Sequence, residues 1–171
     1  MGRSHHPGHL HRGIMTSVLE RIERAGLELP PSNTSKPAKL KRIGQDGNTL
    51  YLSGTGPWHG PTLLFSGKLG HDLDQEVGYQ AARATALNQV RILLDAGYDV
   101  DRIRWVKVNG FINCTPDFHH PSEVLNGFTD VIVAAFGEER GLSARTACGV
   151  ASIPWNMPLE VEAVCALEDA E

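Results

Sequence analysis

The sequence predicts an α+β protein in which a mixed sheet of about six strands carries two main helices on one face. Strand-like runs of alternating apolar residues occur in groups, and two long segments have apolar residues at helical spacing. The length agrees with this, because 171 residues with 41% hydrophobic and 21% charged side chains suit one domain with one core. Two helices of this length can cover only one face of such a sheet.

The N-terminal residues are expected to precede the folded domain. Residues 1–14 hold four histidines among Gly, Pro and Arg and have no apolar run, so we expect a leader or tag rather than a signal peptide. No carboxylate or cysteine lies near these histidines, so a metal site is not expected there. Residues 15–37 should form a short helix and a turn-rich linker, and the domain itself should cover residues 38–171.

A β-hairpin is expected to open the domain. Lys39 to Ile43 and Thr49 to Ser53 read as strands, and Asp46-Gly47-Asn48 supplies the positive φ of a tight turn. A third short strand is expected near Thr62 to Phe65.

Two long helices should follow. Asp72 or Asp74 is the expected N-cap of the first, which runs to about Asp95. Ser122 is the expected N-cap of the second, which Gly137 should end.

The remaining segments are predicted strands. One covers Ile103 to Cys114, and two runs between Ser143 and Leu167, joined by a Pro/Asn loop, are expected to pair as a hairpin. Several strands carry apolar residues on both faces, although the helices cover only one. The uncovered face is therefore expected to pack against copies of the chain in an oligomer.

Charge and cysteine content narrow the classes of function. A formal charge of −4 and a pI near 6.0 argue against a nucleic-acid-binding surface, which needs clustered Lys and Arg. The three cysteines have no CxxC spacing and fit a reducing cytoplasm. No apolar run reaches about 18 residues, so no membrane span is expected.

The C-terminal runs contain the best candidate site. Alternation places Glu160 and Glu162 on one face of a strand that is otherwise apolar. Small residues flank Arg145 in the preceding run and leave room for a ligand, and a guanidinium suits a planar, two-point contact with a carboxylate or phosphate. Alternatively, Arg145 forms a structural ion pair with a glutamate across the hairpin, or both side chains face solvent.

Three further features could contribute to a site. Ser53-Gly54-Thr55-Gly56-Pro57 ends a strand and permits close approach of a ligand to the backbone, or forms an ordinary bulge. Trp58 and Trp155 could wall a cleft, or pack in a core or an interface. His119 and His120 could titrate near neutrality, although such a loop pair is also expected when both are exposed and inert.

Five stretches of the chain, taken together and in their order along the sequence, form one specific pattern. They are Ser53-Gly-Thr-Gly-Pro57, Ala81-Ala-Arg-Ala-Thr-Ala-Leu-Asn88, Val106-Lys-Val-Asn-Gly-Phe-Ile112, Val124-Leu-Asn-Gly-Phe128 and the segment from Ser143 to Leu167. The pattern resembles the RidA/YjgF family of reactive-intermediate deaminases, also named the endoribonuclease L-PSP family, in its longer branch with an extra N-terminal helix. The resemblance covers roughly Lys39 to Leu167.

The resemblance implies both an architecture and an activity. The architecture is a chorismate-mutase-like fold that assembles into a homotrimer, with the sheets lining a central barrel and ligand clefts between adjacent subunits. The activity is hydrolysis of 2-imino and 2-enamino acids, released by pyridoxal-phosphate enzymes, to 2-keto acids and ammonia. This chemistry uses no metal and no organic cofactor.

The resemblance also implies roles for individual residues. Arg145 matches the arginine that binds the substrate carboxylate, and Glu160 matches the glutamate that holds the attacking water. Ser53 and Gly54 lie where the family's backbone contacts the ligand. Asn126 matches an asparagine at the mouth of the cleft.

Three positions depart from the family pattern. Ala147 stands where many deaminases have a cysteine, Cys148 is shifted by one residue to the other face, and Leu40 falls near the position of a cleft tyrosine. Carboxylate binding is unaffected by these changes, whereas the substrate and rate can differ. The sequence therefore leaves two functions open: an imine deaminase, or a non-catalytic trimeric module that binds small carboxylates or keto acids.

Overall fold

The computed structural model describes residues 16–35 and 39–170, so the expected leader and its histidine tract lie outside the described residues. The helices of this part are α1 (Val18–Arg24), α2 (Gln75–Asp95) and α3 (Pro121–Gly141). The strands are β1 (Ile43–Asp46), β2 (Thr49–Thr55), β3 (Trp58–His59), β4 (Thr62–Leu63), β5 (Ile103–Asn113), β6 (Ala144–Val150) and β7 (Leu159–Leu167). Within residues 16–35 and 39–170, no helix combines the length and the apolar character that a bilayer span requires.

Five strands form one mixed sheet in the order β1-β2-β7-β5-β6. β5 and β6 run parallel, whereas β7 runs antiparallel to both of its neighbours. The α+β class is confirmed, but the main sheet has five strands instead of the expected six. The segment near Thr62 pairs instead with Trp58 and His59 in a separate two-stranded hairpin.

The first hairpin has its predicted turn. Gly47, with a φ of 57°, lies between the paired residues Asp46 and Thr49. β1 begins at Ile43 rather than at Lys39, because Lys39 has a φ of 59° and cannot continue an extended strand.

The short N-terminal helix is confirmed, and it is fastened to the domain. Ser17 is its N-cap, and Asp101 Oδ1 accepts a hydrogen bond from the backbone N–H of Val18 at 2.7 Å. Val18 and Ile22 are buried, and α1 packs against α3.

Both long helices pack on the same face of the sheet. Of the two predicted N-caps of α2, Asp74 rather than Asp72 is the cap, because its Oδ1 accepts a hydrogen bond from the backbone N–H of Val77 at 2.9 Å. Residues of the helices and the sheet share one core, which includes Leu50, Leu52, Ala81, Ala86, Trp105, Val108, Leu125, Phe128, Ile132, Val161 and Ala163.

α3 differs from its prediction at both ends. Ser122 is not the cap, since Pro121 occupies the first turn and the helix begins there. Gly137, with a φ of 78° and a ψ of 167°, breaks the helix at the predicted position, and a further helical turn then extends α3 to Gly141. The Ser122 side chain contacts Arg145 instead of capping the helix.

The predicted C-terminal hairpin is wrong, because β6 and β7 are not paired. β5 lies between them. The chain passes from β5 through α3 into β6 as a parallel crossover, which places β6 beside β5 at the edge of the sheet. Residues 151–158 then lead back past β5, so that β7 fills the position between β2 and β5.

The second face of the sheet carries no helix in the described part of the chain. The predicted alternation along β7 is confirmed: Val161 and Ala163 are buried toward the helices, whereas Glu160 and Glu162 lie on the open face. Tyr51 of β2 is 52% exposed. Association of this face with other copies of the chain remains a prediction.

Candidate functional site

Arg145 and Glu160 lie on opposite faces of the sheet. Arg145, on the edge strand β6, is in register with Val108, which is buried beneath the helices. Glu160 is in register with Phe111 and lies on the open face. Two separate groups of side chains result: the arginine cluster (Ser122, Asn126, Thr129 and Arg145) and the glutamate cluster (Ser53, Gly54, Glu160 and Glu162).

In the arginine cluster, α3 holds the guanidinium by four hydrogen bonds. Nη1 of Arg145 donates to Asn126 Oδ1 at 2.9 Å and to Thr129 Oγ1 at 3.0 Å. Nη2 donates to the carbonyl oxygen of Ser122 at 3.3 Å and to its hydroxyl at 3.1 Å. The structure therefore brings Asn126 to Arg145, and the plane of the guanidinium is fixed by neutral acceptors.

No carboxylate lies within 4.0 Å of this guanidinium in residues 16–35 and 39–170, where the ion pairs involve other residues. A backbone hydrogen bond is the main cause that lowers the pKa of Glu123 on α3, and the charge of Arg145 is one of the smaller causes. The alternative of an ion pair between Arg145 and a glutamate across a hairpin is wrong, because β5 separates the two strands. The positive charge of Arg145 is thus available to an anion that approaches the edge of β6.

Ser122 and Thr129 are site residues that the sequence analysis missed. With Asn126 they occur at intervals of four and three residues, which places all three on one side of α3. Polar residues at helical spacing on a helix rich in apolar residues were the available signal. Because the sequence predicts Ser122 as the N-cap of α3, its contact with Arg145 is not apparent from this spacing.

The glutamate cluster is built around a bulge in β2. The pairing of β2 with β7 shifts between Leu52, which is opposite Ala163, and Thr55, which is opposite Val161, so that Ser53 and Gly54 together oppose the single residue Glu162. A Cβ atom at Gly54 would lie 2.6 Å from Oε1 of Glu160. Glycine at this position is therefore what allows the Glu160 side chain to fold over β2.

The two carboxylates of this cluster have different surroundings. Burial, and secondarily the charge of Glu162, raises the pKa of Glu160 above its usual range. Glu162 is exposed, and its Oε1 accepts a hydrogen bond from Asn109 Nδ2 at 3.0 Å. The hydroxyl of Ser53 donates to the backbone oxygen of Lys41 at 2.5 Å, so its proton is already engaged.

Two residues of α2 brace the bulge, and sequence reasoning missed their role. Gln89 is fully buried, and its Nε2 donates to the backbone oxygens of Val161 at 2.9 Å and Ser53 at 3.4 Å. Asn88 Nδ2 donates to Thr55 Oγ1 at 3.0 Å and to the backbone oxygen of Gly56 at 3.1 Å. A polar Asn-Gln pair inside an apolar helical stripe was the signal.

The remaining candidates lie at the surface. Trp155 is 72% exposed and meets the half-buried Trp58 edge to face, with 5.7 Å between ring centroids, so Trp155 is not a core residue. His119 and His120 are exposed. Leu40 is 55% exposed.

Ala147 and Cys148 lie as the alternation along β6 predicted. Ala147 packs against the core on the same side as Arg145, whereas Cys148 is exposed. The thiol is therefore not in the arginine cluster.

The model of the family described as YjgF/chorismate mutase-like, putative endoribonuclease, matches residues 19–166. The chain belongs to this YjgF family. The chorismate-mutase-like fold expected from the sequence resemblance is thereby confirmed.

Relatives of this YjgF-family chain span nearly its whole length. "Protein TCP17" of Trypanosoma cruzi is 37% identical over 153 residues, which cover 89% of this chain and 95% of the relative. The crystal structure of a putative endoribonuclease from Shewanella oneidensis has a TM-score of 0.82 at 27% identity and covers 89% of this chain and 100% of its own. The protein Atu1372 of Agrobacterium tumefaciens, described as having unknown function, has a TM-score of 0.79 at 29% identity, with 88% and 92% covered.

Proposed function

We propose that this YjgF-family protein hydrolyses 2-imino and 2-enamino acids to 2-keto acids and ammonia, in clefts between the subunits of a homotrimer. The observation that carries the proposal is the pair of clusters. One presents a guanidinium with no carboxylate within 4.0 Å in the described chain, and the other presents a half-buried carboxylate with a raised pKa. Together they supply an anchor for a carboxylate and a base for water.

The guanidinium of Arg145 and the carboxylate of Glu160 in one chain cannot reach the same small ligand. Two strand spacings and three residues of register separate their Cα atoms by about 14 Å, and they lie on opposite faces of the sheet. Because β6 is an edge strand, a second copy can bring its open face to the arginine cluster. A closed ring of three copies would then form three equivalent sites.

The proposed chemistry needs only these groups and water. Arg145 binds the carboxylate of the imino acid, and Glu160 takes a proton from water as the oxygen attacks the imine carbon. The proton passes to the nitrogen to give a carbinolamine. A second proton then moves from the hydroxyl group of the carbinolamine to the nitrogen as the carbon–nitrogen bond breaks and the carbonyl forms, so the products are ammonia and a 2-keto acid. A carboxyl group with a raised pKa suits both steps, since it can accept the proton and then return it.

The second candidate function is a non-catalytic trimeric module that binds small carboxylates or keto acids. It is favoured by the departures at Leu40 and Ala147, and by the Ser53 hydroxyl, whose proton is bonded to Lys41. We do not propose RNA cleavage, although relatives are described as putative endoribonucleases. The net charge of −4 and the two carboxylates of the glutamate cluster disfavour a polyanion.

Two measurements test the proposal. An amino-acid oxidase generates 2-iminopropionate in the presence of the protein, and ammonia release above the uncatalysed rate is expected. Calorimetry with 2-oxobutyrate is expected to show binding. Binding without ammonia release would support the binding module instead.

Assembly is tested separately by light scattering, which is expected to return a trimer at micromolar concentration. A stable, active monomer would refute a site shared between subunits.

A further inference from the structure

Gln89 of α2 joins the two strands of the glutamate cluster from the face that the helices cover. Its side chain is fully buried, whereas Glu160 lies on the open face. Nε2 of Gln89 donates to the backbone oxygen of Val161 on β7 at 2.9 Å and to that of Ser53 on β2 at 3.4 Å. One amide group is thus bonded to both strands at the bulge, where their pairing shifts.

These two bonds reach the backbone directly beside the residues that locate the carboxyl group. Val161 follows Glu160 in the chain, and Ser53 precedes Gly54. Gly54 lies so close to Glu160 that a Cβ atom there would be 2.6 Å from Oε1 and 2.9 Å from the carboxyl carbon. A change in the distance between β2 and β7 at this point would therefore move Gly54 relative to the carboxyl group.

The oxygen of the Gln89 amide indicates that the nitrogen is the group required at this position. Oε1 is buried, and no donor in residues 16–35 and 39–170 reaches it. A buried acceptor without a partner is destabilising, and an apolar side chain of similar size would avoid that cost. Nε2 has two N–H donors, and both have acceptors at the bulge. The two bonds to the bulge therefore explain why an amide occupies this part of the core.

We propose that Gln89 is a positioning residue, which holds Gly54 against the carboxyl group of Glu160 from the opposite face of the sheet. The inference rests on the proposed function for the role of Glu160 as a base, but it concerns the geometry of the bulge. Gln89 does not contact the substrate, because it lies below the sheet. It acts through the backbones of β2 and β7, and a base that is fixed in this way keeps the placement that proton transfer requires.

The groups around Glu160 show how its protonation would report the state of the bulge. Burial is the main cause that raises its pKa, and the charge of Glu162 is the second cause. Phe111, opposite Glu160 on β5, carries no charge, and neither do the two residues of the bulge or Gln89. If the bulge relaxes, the carboxyl group gains contact with water, and its pKa falls toward the usual range.

The first test is a nuclear magnetic resonance titration of Glu160 on the full chain with isotope-labelled carboxyl groups. Gln89→Met keeps the approximate shape of the side chain and removes both donors. We expect the pKa of Glu160 to be lower in this variant than in the unmodified protein. The resonance is identified by its loss in Glu160→Gln, and the measurement requires no turnover.

Two variants on the same helix are matched controls for the titration. Gln80→Met makes the same replacement at an exposed amide that is bonded to Glu76. Thr85→Val removes a fully buried hydroxyl that is bonded to the backbone oxygen of Ala81. Neither bond reaches the bulge, so both variants should leave the pKa of Glu160 unchanged, even if Thr85→Val lowers stability.

The second test is a double-mutant cycle on ammonia release. Gln89→Met should reduce kcat by roughly tenfold, since a misplacement of about 1 Å can have an effect of this size, and should leave affinity for 2-oxobutyrate unchanged. In the Glu160→Gln background it should cause no further loss, because the group that Gln89 positions is no longer a base. A residue that only stabilises the fold would lower the rate in both backgrounds.

The possible results are distinct. An unchanged pKa of Glu160 in Gln89→Met, an equal change in Thr85→Val, or an equal loss of rate in both backgrounds would overturn the inference. Gln89→Leu replaces Gln89→Met if circular dichroism shows that methionine prevents folding. Hydrogen exchange on the unmodified protein needs no variant: the Nε2 protons of Gln89 should exchange far more slowly than those of Gln80, and equal exchange would overturn the inference. Absence of ammonia release from the unmodified protein would refute only the proposed reaction, since the titration does not depend on it.

Discussion

The arginine cluster and the glutamate cluster differ in how fully their charged groups are bonded. Four hydrogen bonds that the guanidinium of Arg145 donates to α3 residues fix its position. The pKa of Glu160, in contrast, is set by burial and by the charge of Glu162, with no contribution from a hydrogen bond. A guanidinium already in place loses little freedom when it binds a ligand, and a carboxylate with open acceptor positions can hold water. Under the proposed function, the carboxylate of the substrate would bind at one face of the sheet and proton transfer would take place at the other.

The largest expected effect comes from removing the base and keeping its shape. Glu160→Gln should reduce imine hydrolysis by ~10²-fold or more, the usual scale of a positioned general base, while affinity for 2-oxobutyrate is retained. Ammonia release and calorimetry on the same preparation measure the two quantities. Loss of both together would identify Glu160 as a structural residue, and unchanged turnover would remove it from the mechanism.

A second substitution moves the carboxylate without removing it. In Gly54→Ala the new methyl group would lie 2.6 Å from Glu160 Oε1, so the side chain must shift. We expect turnover to fall by roughly 10- to 100-fold, since a misplacement of about 1 Å can have that effect. Gly44→Ala on β1 is the matched control, because the nearest atom to its Cβ is 3.9 Å away. Equal rates for both variants would show that the position of Glu160 is unimportant.

The arginine cluster is tested by Arg145→Lys, which keeps the charge. An ammonium cannot reproduce a planar two-point contact, and it leaves acceptors of Asn126 and Thr129 without a donor, so keto-acid affinity should fall by about tenfold. Arg104→Lys, at an exposed pair with Glu168, is the control and should leave affinity unchanged. Unaltered binding in Arg145→Lys would make this arginine structural.

The smallest effect concerns the like charge beside Glu160. The charge of Glu162 contributes to the raised pKa of Glu160, so Glu162→Gln should lower that pKa. The base is active when ionised, and kcat/KM therefore rises as the pH passes upward through this pKa. The acid limb of the pH–rate profile should move to lower pH in the variant, with the plateau retained. A shift toward higher pH would contradict the assignment of Glu160 as the base.

Local signals in the sequence were sufficient for several elements. Asp74 as a cap, Gly47 in its turn and the alternation of Glu160 and Glu162 each depend on neighbouring residues alone. These features need no knowledge of pairing partners. They were predicted for that reason.

Pairing between distant segments was not accessible in the same way. The loop over residues 151–158 fits both a hairpin and a passage around an intervening strand, so β6 and β7 were paired incorrectly. That error made an ion pair between Arg145 and a glutamate look feasible. Ser122 was assigned to a cap because a serine before an apolar run has the same sequence signature in either role.

The central place of β7 in the sheet also affects how the chain folds during its synthesis. This strand is the last of the described strands, yet it lies between β2 and β5 and is the neighbour to which both pair. A ribosome releases the chain from its N-terminus at about 5–20 residues per second. The β1–β2 hairpin and the β5–α3–β6 unit therefore emerge with unpaired edges facing an empty position between them. The two halves of the sheet join only after β7 leaves the exit tunnel, and truncation before Leu159 removes the strand that joins them.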